Sequence, residues 1–441
     1  MLASLLLAAG PAAAHAAAPS SVPGGIWRSQ GYGHVLALGD GLPVLYHVAG
    51  PYCYRDPDAA AGREMVGQQP TVVSRDRIAF AAGPGETRYD FTRLARLPVA
   101  CRADRRWTPA DVARLIAATF ADLYPRTAPR NGHRRRFATQ LAAIPADIDE
   151  SGLYDRLTPA LLELDDAHVS LTATIDGDER ALESGEAPAL LAARRDPALG
   201  DTPAARERSW NGRYRDGITA LLAGGGHHVA NRRILWGRIG SIGYINVVAM
   251  GGFADAGGDD VVALDAALDA ALTDFRDLPG VIVDISNNRG GYDALGLRIA
   301  GRFAARPVLA FVKQPVGVDG PGQPFRVGPA TGIRYTGSVT LLTSDITVSA
   351  AETFTLAMRA LPNVRHVGGR TRGALSDQLI KPLPNGWTLT LPAETYTAPD
   401  GARYEGTGIA PRVPIAPFAP DHARVVAGIA ASMAGSVEPI S

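Results

Sequence analysis

After Asn231, short apolar runs alternate with helical stretches, and this alternation restricts the possible folds more than any other feature of the sequence. The runs with the length and composition of buried strands are IGYINVV (242–248), VIVDI (281–285) and SVTLL (338–342). Residues spaced three or four apart predict helices between them, at Val261, Leu264, Leu268, Leu272 and Phe275, and again at Leu295, Ile299 and Phe303. Strands alternating with helices predict an α/β fold in which ligands bind at the carboxyl ends of the strands.

The preceding half of the chain divides into three parts. Residues 1–18 combine an apolar run with small residues and resemble a secretory signal with an atypical start, because no Lys or Arg precedes the run. Residues 19–105 alternate in hydrophobicity between turn residues, which predicts a small antiparallel β unit. Residues 106–232 are predicted to form a helical region whose first helix starts at Thr108 and Pro109 and which becomes loop-rich after Gly177. The α/β core is then 233–441.

Charge and hydropathy exclude several classes of partner. The chain has 44 basic and 44 acidic residues, so its net charge does not favour nucleic acid or a membrane surface. No segment after the signal-like start has 18 uninterrupted apolar residues, so we expect no membrane span once the signal is removed. Together with that start, these features predict an exported protein, periplasmic or extracellular.

The two cysteines, Cys53 and Cys101, both lie in the first quarter of the chain. In an exported protein they could form one disulfide, and two free buried thiols are the alternative. The paired histidines His227 and His228 stand in an apparent exposed loop, GGGHH, with no third ligand at metal-binding spacing. We therefore expect those histidines to be solvated, and we expect neither a metal nor a cofactor.

Several common catalytic motifs are absent from the sequence, including H-E-x-x-H, G-x-S-x-G, S-x-x-K and the glycine-rich nucleotide-binding loops. Two polar turns remain at predicted strand ends. Gly290 and Gly291 could direct backbone amides at an oxyanion, or could only allow a tight turn. Ser349, in TVSAAETF, opens a predicted helix and precedes Glu352 by three residues, so it could be a cap or a nucleophile.

Two further polar residues stand in suggestive surroundings. His168 follows two aspartates in LDDAHVSL, and Glu405 lies in a glycine-rich turn, YEGTG. Taken alone, such a histidine is more often structural than catalytic, and a lone glutamate in a loop is normally solvated. Their significance depends on the other motifs of the chain.

Taken together and in order, six motifs resemble the serine peptidase family that contains the tail-specific (C-terminal processing) proteases and the tricorn core protease. The motifs are LDDAHVSL, IGYINV, VIVDISNNRGG, TSDITVSAAETF, VGGRTRGALS and YTAPDGARYEGTGIAPRV. The resemblance implies an α/β fold with a crotonase/ClpP-like core, which here follows an N-terminal helical subdomain and a small N-terminal β unit. It implies the nucleophile Ser349, the general base His168 and a third catalytic member, Glu405. The implied oxyanion hole consists of amides from Gly290, Gly291 and Ala350.

The chain departs from the family pattern at two positions. In the tail-specific branch a lysine base follows the T-x-G turn, but here Thr371-Arg372-Gly373 precedes Ala374. The resemblance is therefore to the tricorn-like branch, in which a histidine is the base. In tricorn a serine precedes that histidine, whereas this chain has Ala167, so Asp166, a water or another hydroxyl would have to link His168 to Glu405. No PDZ domain is evident between 172 and 233.

These features predict a serine peptidase that hydrolyses peptide bonds of exported or envelope polypeptides through an acyl-enzyme. Its partners would be peptide or protein substrates, and a homo-oligomer is possible. A non-catalytic member of the same fold that binds a ligand or a protein is the alternative, because a fold does not by itself determine function. A structural envelope protein acting through the N-terminal β unit is a third hypothesis.

Overall fold

A seven-stranded antiparallel sheet forms the first part of the protein in the computed structural model, which describes residues 22–435 apart from 40, 84, 126–130 and 420. The predicted signal lies outside the described residues. The strands are β1 (Gly25–Ser29), β2 (His34–Leu38), β3 (Val44–Ala49), β4 (Tyr52–Arg55), β5 (Gln69–Ser74), β6 (Arg77–Ala81) and β7 (Arg88–Leu94), in the spatial order β4-β3-β2-β1-β7-β6-β5. Helix α1 (Ala61–Gly67) joins β4 to β5. Trp27, Phe80 and Phe91 form a small apolar core on this sheet.

The two cysteines are joined. Cys53, on β4, forms a disulfide with Cys101, which lies in a 3₁₀ turn, Val99–Arg102. The sequence left open whether these cysteines form a disulfide or two free thiols, and the structure has the disulfide. The bond closes the β sheet onto the chain that leads to the first long helix, and such a crosslink stabilises mainly by restricting the unfolded chain.

The region after the β sheet is mainly helical. Its elements are α2 (Pro109–Leu123), α3 (Asn131–Ala142), α4 (Glu150–Leu162), β8 (Ser170–Ile175), β9 (Asp178–Glu183), α5 (Pro188–Arg195) and α6 (Pro203–Leu221). The prediction of a loop-rich segment after Gly177 was wrong, because α6 alone has 19 residues. That helix buries only Tyr214 and Ile218, so it lacks the apolar stripe by which a helix is recognised in a sequence.

The remaining elements form the α/β core. The strands are β10 (His227–Val229), β11 (Ile234–Ile239), β12 (Ile242–Val247), β13 (Gly280–Asp284), β14 (Val308–Pro315), β15 (Gln323–Val327), β16 (Ser338–Thr343), β17 (Val364–Gly368), β18 (Gln378–Pro382), β19 (Thr388–Pro392), β20 (Glu394–Thr397) and β21 (Val413–Pro414). The helices are α7 (Asp260–Asp274), α8 (Asp293–Gly301), α9 (Ala350–Arg359) and α10 (His422–Met433). GGGHH is not wholly a loop, since its two histidines begin β10, but both are exposed as expected.

The main sheet has the order β10-β11-β12-β13-β16-β17-β21, and β12 through β21 are parallel. Successive residues of a strand face opposite sides. Val281 and Val283 accordingly pack in one apolar cluster with helices α7, α8 and α9. Ile282 packs on the other side with α6 and α10. The sheet is therefore covered on both faces, which explains why its strands are continuous apolar runs.

Two smaller sheets complete the fold, with the orders β15-β14-β20 and β18-β19-β8-β9. The second pairs distant parts of the chain, since Ser170 on β8 lies opposite Thr390 on β19. This pairing joins the helical region to the α/β core directly beyond His168.

A buried charged cluster attaches the β sheet of the N-terminal part to the core. Lys313 Nζ lies 2.8 Å from each of three oxygens, on Thr87 of the N-terminal part and on Asp293 and Asp377 of the core. Asp293 Oδ1 also accepts a hydrogen bond of 2.6 Å from the hydroxyl of Thr353, on α9. The contact between the two parts is thereby connected to α8 and α9.

Within the described residues, we find no helix with the length and apolar content needed to cross a bilayer.

Candidate active site

Ser349 lies where strand β16 and a short turn lead into helix α9, and its side chain is partly exposed. Its backbone has φ 62° and ψ −130°. An ordinary capping serine has extended backbone angles, and a non-glycine residue with positive φ carries strain of about 1–3 kcal/mol. The surrounding structure maintains the strain, in part through a 3.0 Å hydrogen bond from the Ser349 N–H to the carbonyl of Ala374. Strained residues of this kind concentrate at functional sites.

The carboxylate of Glu352 fixes the start of α9. It accepts four hydrogen bonds, from Ser349 N at 3.3 Å, Ala374 N at 2.8 Å, Gly373 N at 2.8 Å and Thr371 Oγ1 at 2.6 Å. Complete burial raises the pKa of Glu352 above its ordinary value, and the hydrogen bonds oppose that effect. Glu352 therefore acts as the acidic partner of a capping box and also attaches the helix to residues 371–374.

Gly290 and Gly291 lie directly beside the serine. A Cβ atom on Gly290 would be 2.6 Å from Ser349 Cβ and 3.1 Å from Ser349 Oγ, and φ at Gly290 is 90°. A Cβ atom on Gly291 would be 2.3 Å from the carbonyl oxygen of Met250. Glycine is required at both positions because the loop approaches the serine and the end of β12 too closely for a side chain.

The three amides predicted for an oxyanion hole are not equivalent. The Gly290 N–H donates to Asn288 Oδ1 at 2.8 Å, so it is already used within the loop. In the described part of the chain, the N–H groups of Gly291 and Ala350 donate to no protein acceptor. The amide of Ala350 is one of those that an α-helix leaves unpaired at its start. Gly290 thus provides space beside the serine, and the amides of Gly291 and Ala350 are available for a ligand.

Asn288 was not identified from the sequence. Its side-chain oxygen accepts from Gly290, and its amide nitrogen donates to the carbonyl of Val247 at 2.9 Å. Asn288 therefore shapes the glycine loop and attaches it to the end of β12. The tandem asparagines before RGG were the only sequence signal for such a role.

His168 is buried in the turn that precedes β8. Its N–H donates to Asp166 Oδ1 at 3.0 Å, and its carbonyl accepts a 3.4 Å hydrogen bond from the hydroxyl of Thr390. The other oxygen of Asp166 accepts from the hydroxyl of Tyr124 at 2.7 Å. Asp166 thus holds the backbone of the histidine turn.

Glu405 is buried in the loop between β20 and β21. Its Oε2 atom accepts hydrogen bonds from the backbone N–H groups of Leu375 at 2.9 Å and Ser376 at 3.0 Å. These two residues directly follow Ala374, which binds the amide of Ser349. The predicted third catalytic member and the predicted nucleophile are thus attached to consecutive residues of one segment.

We call residues 371–376 the connecting segment. Besides binding Ser349, Glu352 and Glu405, it reaches the histidine turn through Arg372, whose guanidinium contacts Asp165 and Gly185. All three predicted catalytic residues are therefore connected to the same six residues of chain.

No lysine occupies the position of the tail-specific base, where Ala374 is buried. The nearby Lys381 is bonded elsewhere: its Nζ atom donates to the carbonyls of Tyr32 at 2.6 Å and Gly33 at 3.2 Å, and it lies 3.2 Å from His47 Nδ1. Burial lowers the pKa of Lys381 to about 7. Its ammonium group thus belongs to the contact with the N-terminal sheet.

A second buried carboxylate lies at the base of the glycine loop and was not singled out from the sequence. Asp284 ends β13 and accepts hydrogen bonds from the hydroxyl of Tyr244 at 2.7 Å and the N–H of Ser286 at 2.9 Å. Its Oδ2 atom is 2.6 Å from His422 Nε2. Burial would raise the pKa of Asp284, but the interaction with His422 and these hydrogen bonds oppose that effect, and the pKa is lowered. The cluster holds the strand end from which the glycine loop departs.

Across the residues that the structure describes, no three side chains of the metal-binding types come together.

Comparison with known proteins gives one matching family model and several similar folds. Residues 241–415 match the model of peptidase family S41. The protein is similar in structure to a candidate peptidase from Parabacteroides merdae, with 20% sequence identity, a TM-score of 0.57, and coverage of 75% of this chain and 99% of that chain. It is also similar to mature CPAF, with 12% identity, a TM-score of 0.53, and coverage of 76% of this chain and 99% of that chain. No curated protein sequence matches the chain.

The fold is an α/β fold with a crotonase/ClpP-like core, as predicted, and the protein is a serine peptidase. The match of residues 241–415 to peptidase family S41 confirms the recognition of the tail-specific protease family from the six motifs. The matched residues include Ser349, Glu405 and the glycine loop, whereas His168 precedes them.

Proposed function

We propose that the protein hydrolyses peptide bonds of exported or envelope polypeptides through an acyl-enzyme on Ser349. In this proposal His168 is the general base and Glu405 supports the histidine. The observation that carries the proposal is the backbone of Ser349, which is held at positive φ near the amides of Gly291 and Ala350, neither of which donates to an acceptor among the described residues.

The proposed chemistry is acyl transfer through Ser349. His168 takes the proton of the Ser349 hydroxyl as its oxygen attacks the carbonyl carbon of the scissile peptide. The negative charge that develops on the carbonyl oxygen is stabilised by the amides of Gly291 and Ala350, aided by the positive end of helix α9. The protonated histidine then gives its proton to the leaving amine, and water, activated by the same histidine, hydrolyses the ester.

The proposed substrates are exported or envelope polypeptides because of two features outside the site. The sequence begins with a signal-like segment, and a disulfide joins Cys53 to Cys101, as is common in proteins of oxidising compartments. In the same proposal, residues 19–105 form one domain, 106–232 carry the histidine, and 233–441 form the peptidase core.

A fluorophosphonate probe, which reacts with activated serines, tests the proposal. We expect the wild-type protein to be labelled, Ser349→Ala to remain unlabelled, and His168→Ala to be labelled at a rate lower by several powers of ten. Failure to label a well-folded wild-type protein would contradict the proposed hydrolysis and favour a binding role for the fold.

A further inference from the structure

Arg372 links two parts of the proposed active site that are far apart in the sequence. Its backbone N–H donates to the carbonyl of Thr347 at 2.9 Å, two residues before the proposed nucleophile. Its side chain is only 12% exposed and runs to the histidine turn. There Nε donates to the carbonyl of Gly185 at 2.8 Å, and Nη2 donates to the carboxylate of Asp165 and, at 3.4 Å, to its carbonyl.

The groups that Arg372 binds lie against the backbone that leads into His168. Asp165 is three residues before the histidine and has a positive φ of 49°. Gly185 lies so close to this turn that a Cβ atom there would be 2.4 Å from the nitrogen of Ala167. One guanidinium group therefore holds both chain segments that flank the histidine turn.

We propose that Arg372 is a positioning residue that sets the distance and orientation of His168 relative to Ser349. This inference rests on the proposed function. The main chain of Arg372 is hydrogen-bonded to the loop that leads to Ser349. Its planar guanidinium, which has several N–H donors, is hydrogen-bonded to the histidine turn, so the residue spans the two. A lysine would retain the charge but not the set of directed donors. Catalysis is sensitive to such positioning, since a displacement of about 1 Å can cost about 100-fold in rate.

The test uses the full-length protein and the rate of fluorophosphonate labelling measured over a range of pH. We expect Arg372→Met to be labelled about 100-fold more slowly than the wild type. The wild-type rate should depend on pH through the ionisation of a histidine, and His168→Ala should remove that dependence. We expect Arg372→Met to lose it as well. Arg372→Lys should be intermediate. Asp165→Asn, which keeps the carbonyl and tolerates positive φ, should show a smaller loss.

Arg238 provides a matched control. Its guanidinium binds the carboxylate of Asp274 at 2.6 and 2.7 Å and the carbonyl of the same residue at 2.6 Å, so it makes the same kind of contact as Arg372. The pair joins β11 to the end of α7 and contacts none of the proposed catalytic residues. Arg238→Met should lower the melting temperature without changing the labelling rate or its pH profile.

The outcomes separate this inference from the proposed function. An unlabelled wild-type protein, or labelling that persists in Ser349→Ala, contradicts the proposed function itself. If the wild type is labelled at Ser349 and His168→Ala is slow, Arg372 variants with the wild-type rate and pH profile overturn the positioning role alone. Should Arg372→Met not fold, the folded Arg372→Lys and Asp165→Asn proteins decide the question by the same two measurements.

Discussion

Helices α2 and α9 begin with the same residue pattern but have different structures at their first residues. Helix α2 follows Thr108 and has Asp111 three residues later, and α9 follows Ser349 and has Glu352 three residues later. At α2 the cap has φ −90° and ψ 159°, and its hydroxyl accepts a 3.2 Å hydrogen bond from the N–H of Asp111. At α9 the serine has φ 62° and its N–H is bound by Ala374, far away in the sequence.

The acidic residues at the two helix starts, Asp111 and Glu352, also differ in their surroundings and in the direction of their pKa shifts. Burial alone would raise the pKa of Asp111, but hydrogen bonds from Arg114, Thr108 and Arg105 lower it below its ordinary value. Burial raises the pKa of Glu352, whose four hydrogen-bond donors are all uncharged. A capping box with an exposed cap residue and arginine partners thus stabilises α2. A capping box inside the core also fixes a strained serine against a distant segment.

The largest contrast is expected when each cap is replaced by glycine. Ser349→Gly should abolish fluorophosphonate labelling, because the nucleophile is lost. It should also raise the free energy of unfolding by about 1 kcal/mol, because glycine adopts positive φ without strain. Thr108→Gly should leave labelling unchanged and destabilise by a few tenths of a kcal/mol. Denaturant unfolding and probe labelling measure both effects, and a destabilised Ser349→Gly would show that the serine acts there chiefly as a cap.

A smaller effect is expected at the buried carboxylate. In Glu352→Gln the side-chain NH₂ group must replace one carboxylate oxygen and then faces two N–H or O–H donors. Leaving buried donors unpaired should lower the free energy of unfolding by about 3 kcal/mol, measured by urea denaturation. The labelling rate should also fall, since the carboxylate attaches Ser349 to the connecting segment. A loss below about 1 kcal/mol, as expected for an exposed cap, would remove the distinction between the two helix starts.

The smallest effect is expected at Asp111, and it should depend on pH. A carboxylate with a lowered pKa in the folded state contributes stability above its unfolded pKa of about 4 and loses that contribution as the pH falls through the folded value. Asp111→Asn should therefore cost about 1 kcal/mol or less at pH 7 and progressively less toward pH 3. Thermal melts at both pH values measure this. An equal cost at the two pH values would show that charge is not the source of the stabilisation.

Periodicity and turn residues predicted much of the fold. The strands around Tyr244, Ile282 and Thr340 and the helix that follows Ser349 all lie where the sequence indicated. Those elements bury continuous apolar runs or a clear apolar face, which is the property that such patterns report. Helix α6 was missed because only Tyr214 and Ile218 along it are buried.

For the candidate site, the sequence motifs indicated residue types but could not supply long-range contacts. The glycine loop was predicted, but the different roles of its two glycine amides were not, because the hydrogen bond from Gly290 to Asn288 depends on the folded loop. Arg372 gave no signal, since its partners precede it by about 200 residues. The roles of Ser349, His168 and Glu405 remain predictions that labelling can test.

The pairing of β8 with β19 has a consequence for the time at which the protein becomes active. The turn that carries His168 cannot be fixed by this pairing until Thr390 and its neighbours have been synthesised, more than 200 residues later. Chains emerge from the ribosome at about 5–20 residues per second, and contacts this distant in sequence form late in folding. The proposed catalytic set is therefore incomplete while the chain is being made, so the nascent protein is not a peptidase before most of its own sequence is folded.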